Sequence, residues 1–409
     1  MSDLMNVDVA IARILAQMTQ LGKETIHITD SLGRVLAEDI VSSIDLPPFD
    51  NSAMDGFAIK AADSGHNKTL QVVMDIPAGT SSTQILQDGE AARIMTGAPI
   101  PTGADAVIPV EDTDADFSAL DNALETSITL AKSVEFGAAI RRVGENIHQG
   151  QVVLTSGTVI DAAAIGMLAS LGHSELSVIR RPRVAIVGSG DELVDIDAPL
   201  GAGQIRDSNS YALSALITGD GGIALRQAIA KDTPEAIRQL FKDTLAQSPD
   251  LIVSSAGVSV GAADYIKMIL DELGEVGFWR INLRPGKPLA FGMIDGVPFF
   301  GLPGNPVSAM VTYLVLVRPA LMLLSGKDYH PRTIKAQLEE AVSSDGRRTF
   351  ARVQLKRDGD GWIASTTGTQ SSGAHMSMVL ADGLLIIPEG LGQAAAGTVF
   401  DVMLLKDIQ

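Results

Sequence analysis

Residues 250–306 read DLIVSSAGVSVGAADYIKMILDELGEVGFWRINLRPGKPLAFGMIDGVPFFGLPGNP. Two apolar runs of strand length, residues 251–253 and 297–300, each feed a loop of Gly, Ser or Asn that opens a helix. Free backbone N–H groups and the helix dipole favour negative charge at such loops, so a phosphorylated substrate is the first expectation. Between the loops, NLRPGKP sets Arg284 and Lys287 on either side of a Pro-Gly turn. Any single Lys or Arg serves surface solubility; two flanking Gly286 between apolar strands favour anion binding.

Working outward, the chain alternates from Arg183: strand RVAIVGS, helix SYALSALITG, strand IALRQAI, helix PEAIRQLFKDTLAQ, strand DLIVSS, helix ADYIKMILDELG, strands around WRINL, PLAFGM and VPFFGL, then a long helix. This order predicts a mostly parallel sheet covered on both faces, with ligands at the carboxyl ends of its strands, in a domain of residues 181–327. Residues 328–409 carry short strands with turn signals about every ten residues, which predicts a small β-barrel or sandwich. Residues 47–150 hold short runs (GFAI, LQVVMDI, ARIM, DAVIPV, AAIRRV) punctuated by Gly, Pro and Asp, the pattern of a β-rich module. Val7, Ile11, Leu15 and Met18 have helical spacing, Asp30 or Ser31 can cap a second short helix, and residues 161–171 look helical again. The expected organisation is an α/β multidomain chain in which residues 1–46 plus 151–180 form an N-terminal scaffold and the β-rich module is inserted into it.

With 409 residues, the chain is expected to hold two to four domains. It has no cysteine, which removes disulfides, thiolate nucleophiles and Cys-ligated metal sites together. The net charge of −18 argues against a general nucleic-acid binder. The start, MSDLMNVDVAIARILAQM, lacks the features of a signal peptide, so a cytoplasmic location is expected. PVSAMVTYLVLVRPALMLLSG has the apolarity of a membrane span, but Arg318 and Pro319 interrupt it and a glycine loop feeds it, so it reads as a buried core helix.

Other strings carry two readings each. VGSGDELV (187–194) ends a strand in Gly188-Ser189-Gly190 and presents Asp191 and Glu192, either as a solvated acidic turn or as ligands. In IRDSNSYAL, Asp207 or Ser208 is a good N-cap, which accounts for them without any ligand. In SSAGVSVGAADYIK, Ser254, Ser255 and Gly257 can donate to phosphate while Asp264 opens the next helix. A carboxylate beside a phosphate cradle is repulsive unless a cation lies between, so Asp191 and Asp264 together suggest an oxygen-ligated divalent metal. In GLPGNPVSA, Pro306 suits the first helical position and Gly304 lets a ligand approach the backbone. PPFDNSAMDGFAI and RIMTGAPIPTGADAVIPVED read alone are loops; RRVGENIHQG adds Arg141, Arg142, Glu145 and His148 without zinc spacing.

Taken together, PPFDNSAMDGFAI, RIMTGAPIPTGADAVIPVED, GENI, GSGDEL, DSNS, SSAGVSVGAADY, RPGKPLAFG and GLPGNPVSA closely resemble the molybdopterin molybdenumtransferase (MoeA) family, related to the E domains of gephyrin and of its plant counterpart. The resemblance covers nearly the whole chain; in the C-terminal part it rests on FARVQL and TTGTQSSGAHMSM. It implies a homodimer of four-domain subunits with a MogA-like central domain, which transfers molybdenum from molybdate to adenylylated molybdopterin and releases AMP, with a divalent cation such as Mg2+. Asp191, Glu192, Asp264 and Lys287 would be catalytic, the three carboxylates holding the metal. Ser255, Gly257, Gly304 and Asn305 would hold phosphates and pterin, with Asp207, Asn209 and Ser259 as further substrate contacts. Arg284, Lys287, Ser308, Arg352 and Ser372 would receive molybdate, and Asp55 and Thr96 would come from the β module of the partner subunit. A molybdopterin adenylyltransferase, apo-molybdoenzymes or their chaperones are the implied partners.

Three positions depart from the family pattern: Asn146 replaces the acidic residue of GED, Ala256 a glycine of SGG, and Arg284 the first lysine of KPGKP. The first places one acidic contact in question. Two further readings compete: an adenylyltransferase or nucleotide pyrophosphatase on the same α/β domain, which leaves the β module and barrel without a purpose, and a non-catalytic scaffold, which needs interaction domains this chain does not show.

Overall fold

The computed structural model describes residues 4–117, 124–255, 272 and 274–408. Its contacts divide the chain into two compact units, one of Met1–Ala37, Val159–Asp161 and Glu175–Gln409, the other of Glu38–Thr158 and Ala162–Ser174.

In the first unit a six-stranded sheet runs in the order Ile223–Arg226, Arg183–Val187, Leu251–Ser254, Val297–Gly301, Pro288–Ile294, Gly274–Arg280. The first four strands are mutually parallel, as the alternation of strands and helices predicts, and the last two join through antiparallel pairings. The apolar runs are continuous because both faces are buried: Val184 and Ile186 pack into one core cluster, Ala185 and Val187 into the other. Asp207 caps the helix Ser208–Gly219 and Thr233 caps Pro234–Ala246, whose proline sits where a missing N–H costs nothing.

The long apolar segment is the helix Pro306–Leu324, and 78% of its most apolar window lies inside the protein. Tyr313–Val317 widen into a π-turn just before Pro319, which has no N–H for the helical ladder and whose ring crowds the preceding turn. The helix Val7–Leu15 lays Val7, Ala10 and Ile14 into the same core. The expected second helix after Asp30 is absent: Ile28–Asp30 make one 3-10 turn, which Ser31 closes by donating from Oγ to the carbonyl of Ile28. Gly33 then turns at φ +73°, and Val35 and Leu36 enter β-bridges with Val159 and Val178, so strand contacts override local capping propensity.

The C-terminal strands resolve as a barrel. Arg348–Asp358 pairs with Gly361–Thr366 through one half and with Gly383–Ile387 through the other, and Thr333–Leu338 and Val399–Leu404 complete a closed ring of five. Only the start of Arg348–Asp358 keeps an edge outside the ring among the pairings of that strand. Leu283–Arg284 adds in parallel to the start of Arg348–Asp358, which brings the cation turn of the α/β sheet beside the barrel.

The second unit holds a five-stranded sheet in the order Ala106–Pro109, Gly56–Ile59, Glu90–Ile94, Thr69–Ile76, Ser127–Thr129. Phe57 and Ile59 pack on one face and Ala58 on the other. The helix Ala162–Ser170 belongs to this unit.

Candidate functional site

Beyond the carboxyl ends of the parallel strands lies a cavity of about 760 Å3, walled by Glu192, the turn 284–288, Pro303 to Asn305, Ser308 and the barrel loop 370–372. Its two sides are tied directly. Asn209 donates from Nδ2 to the carbonyl of Gly304 at 2.7 Å, and Asn305 donates from Nδ2 to Ser372 Oγ at 3.0 Å. The N–H of Val307 donates to the carbonyl of Ser372 at 3.1 Å, so the barrel loop closes over the first turn of the long helix, where buried Ser308 also faces the cavity.

The cleft is cationic. Arg284 is half-buried and donates from Nη1 to the carbonyl of Ser343, while Lys287 is exposed and forms no ion pair among the described residues. Arg347 also lines the cavity, paired with Asp345 and donating from Nη1 to the carbonyl of Leu283 at 2.9 Å. Behind the loop stands Arg352, 1% exposed. It donates from Nε to Ser377 Oγ at 3.1 Å and from Nη2 to the carbonyls of Ser371 and Thr369 at 3.0 and 3.4 Å, and no carboxylate pairs with it among the described residues. Burial pushes its pKa down to about 10, and the charge of Arg284 adds to the shift. A buried guanidinium without a counter-charge among the described residues, under the influence of a second guanidinium, is an arrangement that an anion completes.

Glycine use separates packing from function. A Cβ at Gly286 would come 2.4 Å from Thr312 Oγ1 and the backbone there has φ +119°, so the fold itself demands glycine. At Gly304 the nearest atom would be the carbonyl oxygen of Ser255 at 3.8 Å, ordinary contact, so packing makes no such demand beside the cavity. Gly190, at φ +154°, lets the Glu192 carboxylate fold over it: an added Cβ would lie 2.7 Å from Glu192 Oε2.

The other expected residues divide as follows. Ser255 is buried, its N–H donating to the carbonyl of Val187. Asp207 is buried and accepts from the N–H of Ser210 at 3.0 Å, which is the capping role. Asp191 lines a neighbouring cavity of about 440 Å3 with Arg226 and Lys231, and accepts from the N–H of Asp232 at 3.4 Å. Gly257, Ser259 and Asp264 lie outside the described residues. No group of three Asp, Glu or His residues able to hold a metal occurs among the described residues. In the second unit Asp55 and Thr96 meet: the loops before Gly56–Ile59 and after Glu90–Ile94 are neighbours because Gly56 pairs with Ile94, and Asp55 Oδ1 accepts from the N–H of Thr96 at 2.6 Å. Asn146 lies exposed on a cavity of about 480 Å3 with Arg141 and Glu145. Arg347, Gln370 and Ser371 were not singled out by sequence, although Gln370 and Ser371 sit in the recognised string TTGTQSSGAHMSM.

Family models match three stretches: the MoeA N-terminal region (domains I and II) over residues 5–172, a probable molybdopterin binding domain over 185–323, and the MoeA C-terminal region (domain IV) over 335–405. Molybdopterin molybdenumtransferase 2 of Mycobacterium tuberculosis is 36% identical over 407 residues, covering 95% of this chain and 97% of that one. The molybdopterin molybdenumtransferase of Haemophilus influenzae is 35% identical over 404 residues, covering 96% and 97%. A crystal structure of the molybdopterin biosynthesis MoeA protein from Pyrococcus horikoshii superimposes with a TM-score of 0.83 at 32% identity, covering 99% of this chain and 100% of that one.

Proposed function

Since the chain belongs to the molybdopterin molybdenumtransferase family, enzymes of molybdenum cofactor biosynthesis that use molybdate as substrate, we propose that the cleft beside the barrel transfers molybdenum to adenylylated molybdopterin and releases AMP. The observation that carries this reading is buried Arg352, which lacks a carboxylate among the described residues, holds the barrel loop that walls the cleft, and feels the charge of Arg284. Arg284, Arg352 and Lys287 would supply the positive charge for a tetrahedral dianion, with Ser308 and Ser372 as hydroxyl donors. Arg352 would act partly through the 369–371 loop, whose carbonyls it holds. Gly304, Asn305, Asn209 and Ser255, together with Gly257 and Ser259, would receive phosphate and pterin. Asp207 would support them as the cap of its helix.

A divalent cation such as Mg2+ suits the donor set, because Mg2+ is commonly held by one or two carboxylates plus substrate phosphates. Glu192 brings one hard carboxylate oxygen to the cavity, and Asp264 and Asp191 would complete the set. Bound there, the ion would neutralise phosphate charge. The protein's own residues would then position and stabilise charge, as in phosphoryl transfer generally, and no covalent nucleophile is required.

The same reading includes a four-domain subunit acting as a cytoplasmic homodimer, with Asp55 and Thr96 contributed by a second copy. A molybdopterin adenylyltransferase would supply the substrate, and apo-molybdoenzymes or their chaperones would take the product. The test is incubation of purified protein with adenylylated molybdopterin. AMP release that requires both molybdate and a divalent cation is the expected result; release at an equal rate without molybdate would refute the transfer reaction.

A further inference from the structure

The parallel strands of the central sheet have two ends, and the cleft occupies the carboxyl one. At the amino end lies a separate cavity of about 190 Å3, bounded by Arg34, Arg180, Arg181, Asp220, Gly221 and Lys327. Arg181 precedes the strand Arg183–Val187 and Gly221 precedes Ile223–Arg226, while Lys327 follows the long helix.

The charges around this cavity do not balance. Arg34 is buried, paired with Glu24 and donating from Nη2 to the carbonyl of Ile179 at 2.8 Å. Arg180 grips Asp250 through both terminal nitrogens. Asp220 accepts from the Tyr313 hydroxyl and from Arg318 Nε, each at 2.8 Å. With these three carboxylates committed, neither Lys327 nor Arg181 has an ion pair among the described residues. Lys327 is half-buried, and its pKa is held below the ordinary lysine value, by burial first; Asp220 opposes the shift, and Arg181 and Arg34 add to it.

We propose that this cavity is a second oxyanion site, distinct from the cleft, which binds one small tetrahedral dianion such as phosphate or sulfate through Lys327, Arg181 and Arg34. Its volume falls below the roughly 300–1,000 Å3 of pockets that bury larger organic ligands, so a free ion fits the space better than a nucleotide. An ion held there bridges the loop after Ser31, the connection before Arg183, the end of the helix Ser208–Gly219 and the turn after the long helix, and it stabilises the folded state by mass action.

A rival account makes Lys327 only a partner for the carboxyl end of that helix, since a Cβ at Gly221 would lie 3.5 Å from its Nζ. Titration of inorganic phosphate into the full chain, by calorimetry and thermal melting, separates the two. In wild type, two saturable sites are expected, and Lys327→Met or Arg181→Met weakens one of them about tenfold to a hundredfold, the usual consequence of losing a charge-assisted hydrogen bond. Lys327→Arg should keep most of the affinity, and a background of Lys287→Ala with Arg352→Met should retain this site while disabling the cleft. Phosphate affinities unchanged in folded Lys327→Met, or a melting-temperature loss that is the same with and without phosphate, would overturn the proposal.

Discussion

Two arginines are buried to a similar depth in this protein and are treated in opposite ways. Arg93, 6% exposed in the sheet of the β-rich unit, meets Asp75 through Nε and Nη2 at 2.9 and 2.7 Å and has Glu125 at 3.6 Å. Its pKa is raised, first by the hydrogen bond to Asp75. Arg352, 1% exposed in the barrel, meets only hydroxyl and carbonyl oxygens among the described residues, and its pKa is lowered. A charge neutralised inside the chain holds structure together. A buried charge left without a counter-ion weakens the fold unless something outside the chain completes it, which is why Arg352, and not Arg93, is the residue we propose for the working site.

The largest effects expected come from exchanging these roles. Arg352→Met should lower turnover at fixed molybdate by about a hundredfold or more, because it removes both a charge and the donor that holds the 369–371 loop. Its stability should change less than that of Arg93→Met, which strands Asp75 and Glu125 and should cost about 1–3 kcal/mol in a denaturant melt while leaving the molybdate dependence of turnover unchanged. If Arg352→Met unfolded the protein and Arg93→Met abolished turnover in a folded one, the comparison would be inverted and the assignment wrong.

A smaller effect sharpens the same distinction at two glycines. Gly286→Ala should destabilise, since its φ of +119° and the nearby Thr312 hydroxyl leave no room for a methyl. Gly304→Ala should melt within about 1 kcal/mol of wild type, because a methyl there meets only ordinary contact, yet it should raise the KM for adenylylated molybdopterin. A Gly304→Ala enzyme with unaltered KM would remove that loop from the substrate's surroundings.

Local pattern made much of this architecture legible. Apolar runs such as 251–253 and 297–300 announce buried strands, and the loop after the second falls at the carboxyl edge of the sheet as expected. A small barrel is among the forms expected for the C-terminal part, but the pairings that close it could not be read, because Arg348–Asp358 pairs both with the hairpin partner that follows it, Gly361–Thr366, and with the more distant Gly383–Ile387. Nor could the divergence of two adjacent arginines: Arg347 faces the cleft, while Arg348 reaches back to Asp8 through both terminal nitrogens. Arg352 entered only through resemblance, since alternation along a strand states that a residue is buried or exposed without stating what it lacks. The helix expected after Asp30 failed where capping propensity, worth about 1 kcal/mol, met the β-bridges of Val35 and Leu36.

We propose that Arg352, Arg284 and Lys287 complete their charge with molybdate. Anomalous diffraction at the molybdenum edge, from crystals of the full chain equilibrated with molybdate, tests it most directly. A molybdenum peak is expected in the cleft, among these three cations and within reach of Ser308 and Ser372. A peak confined to another part of the molecule, with this cleft empty at saturating molybdate, would contradict it.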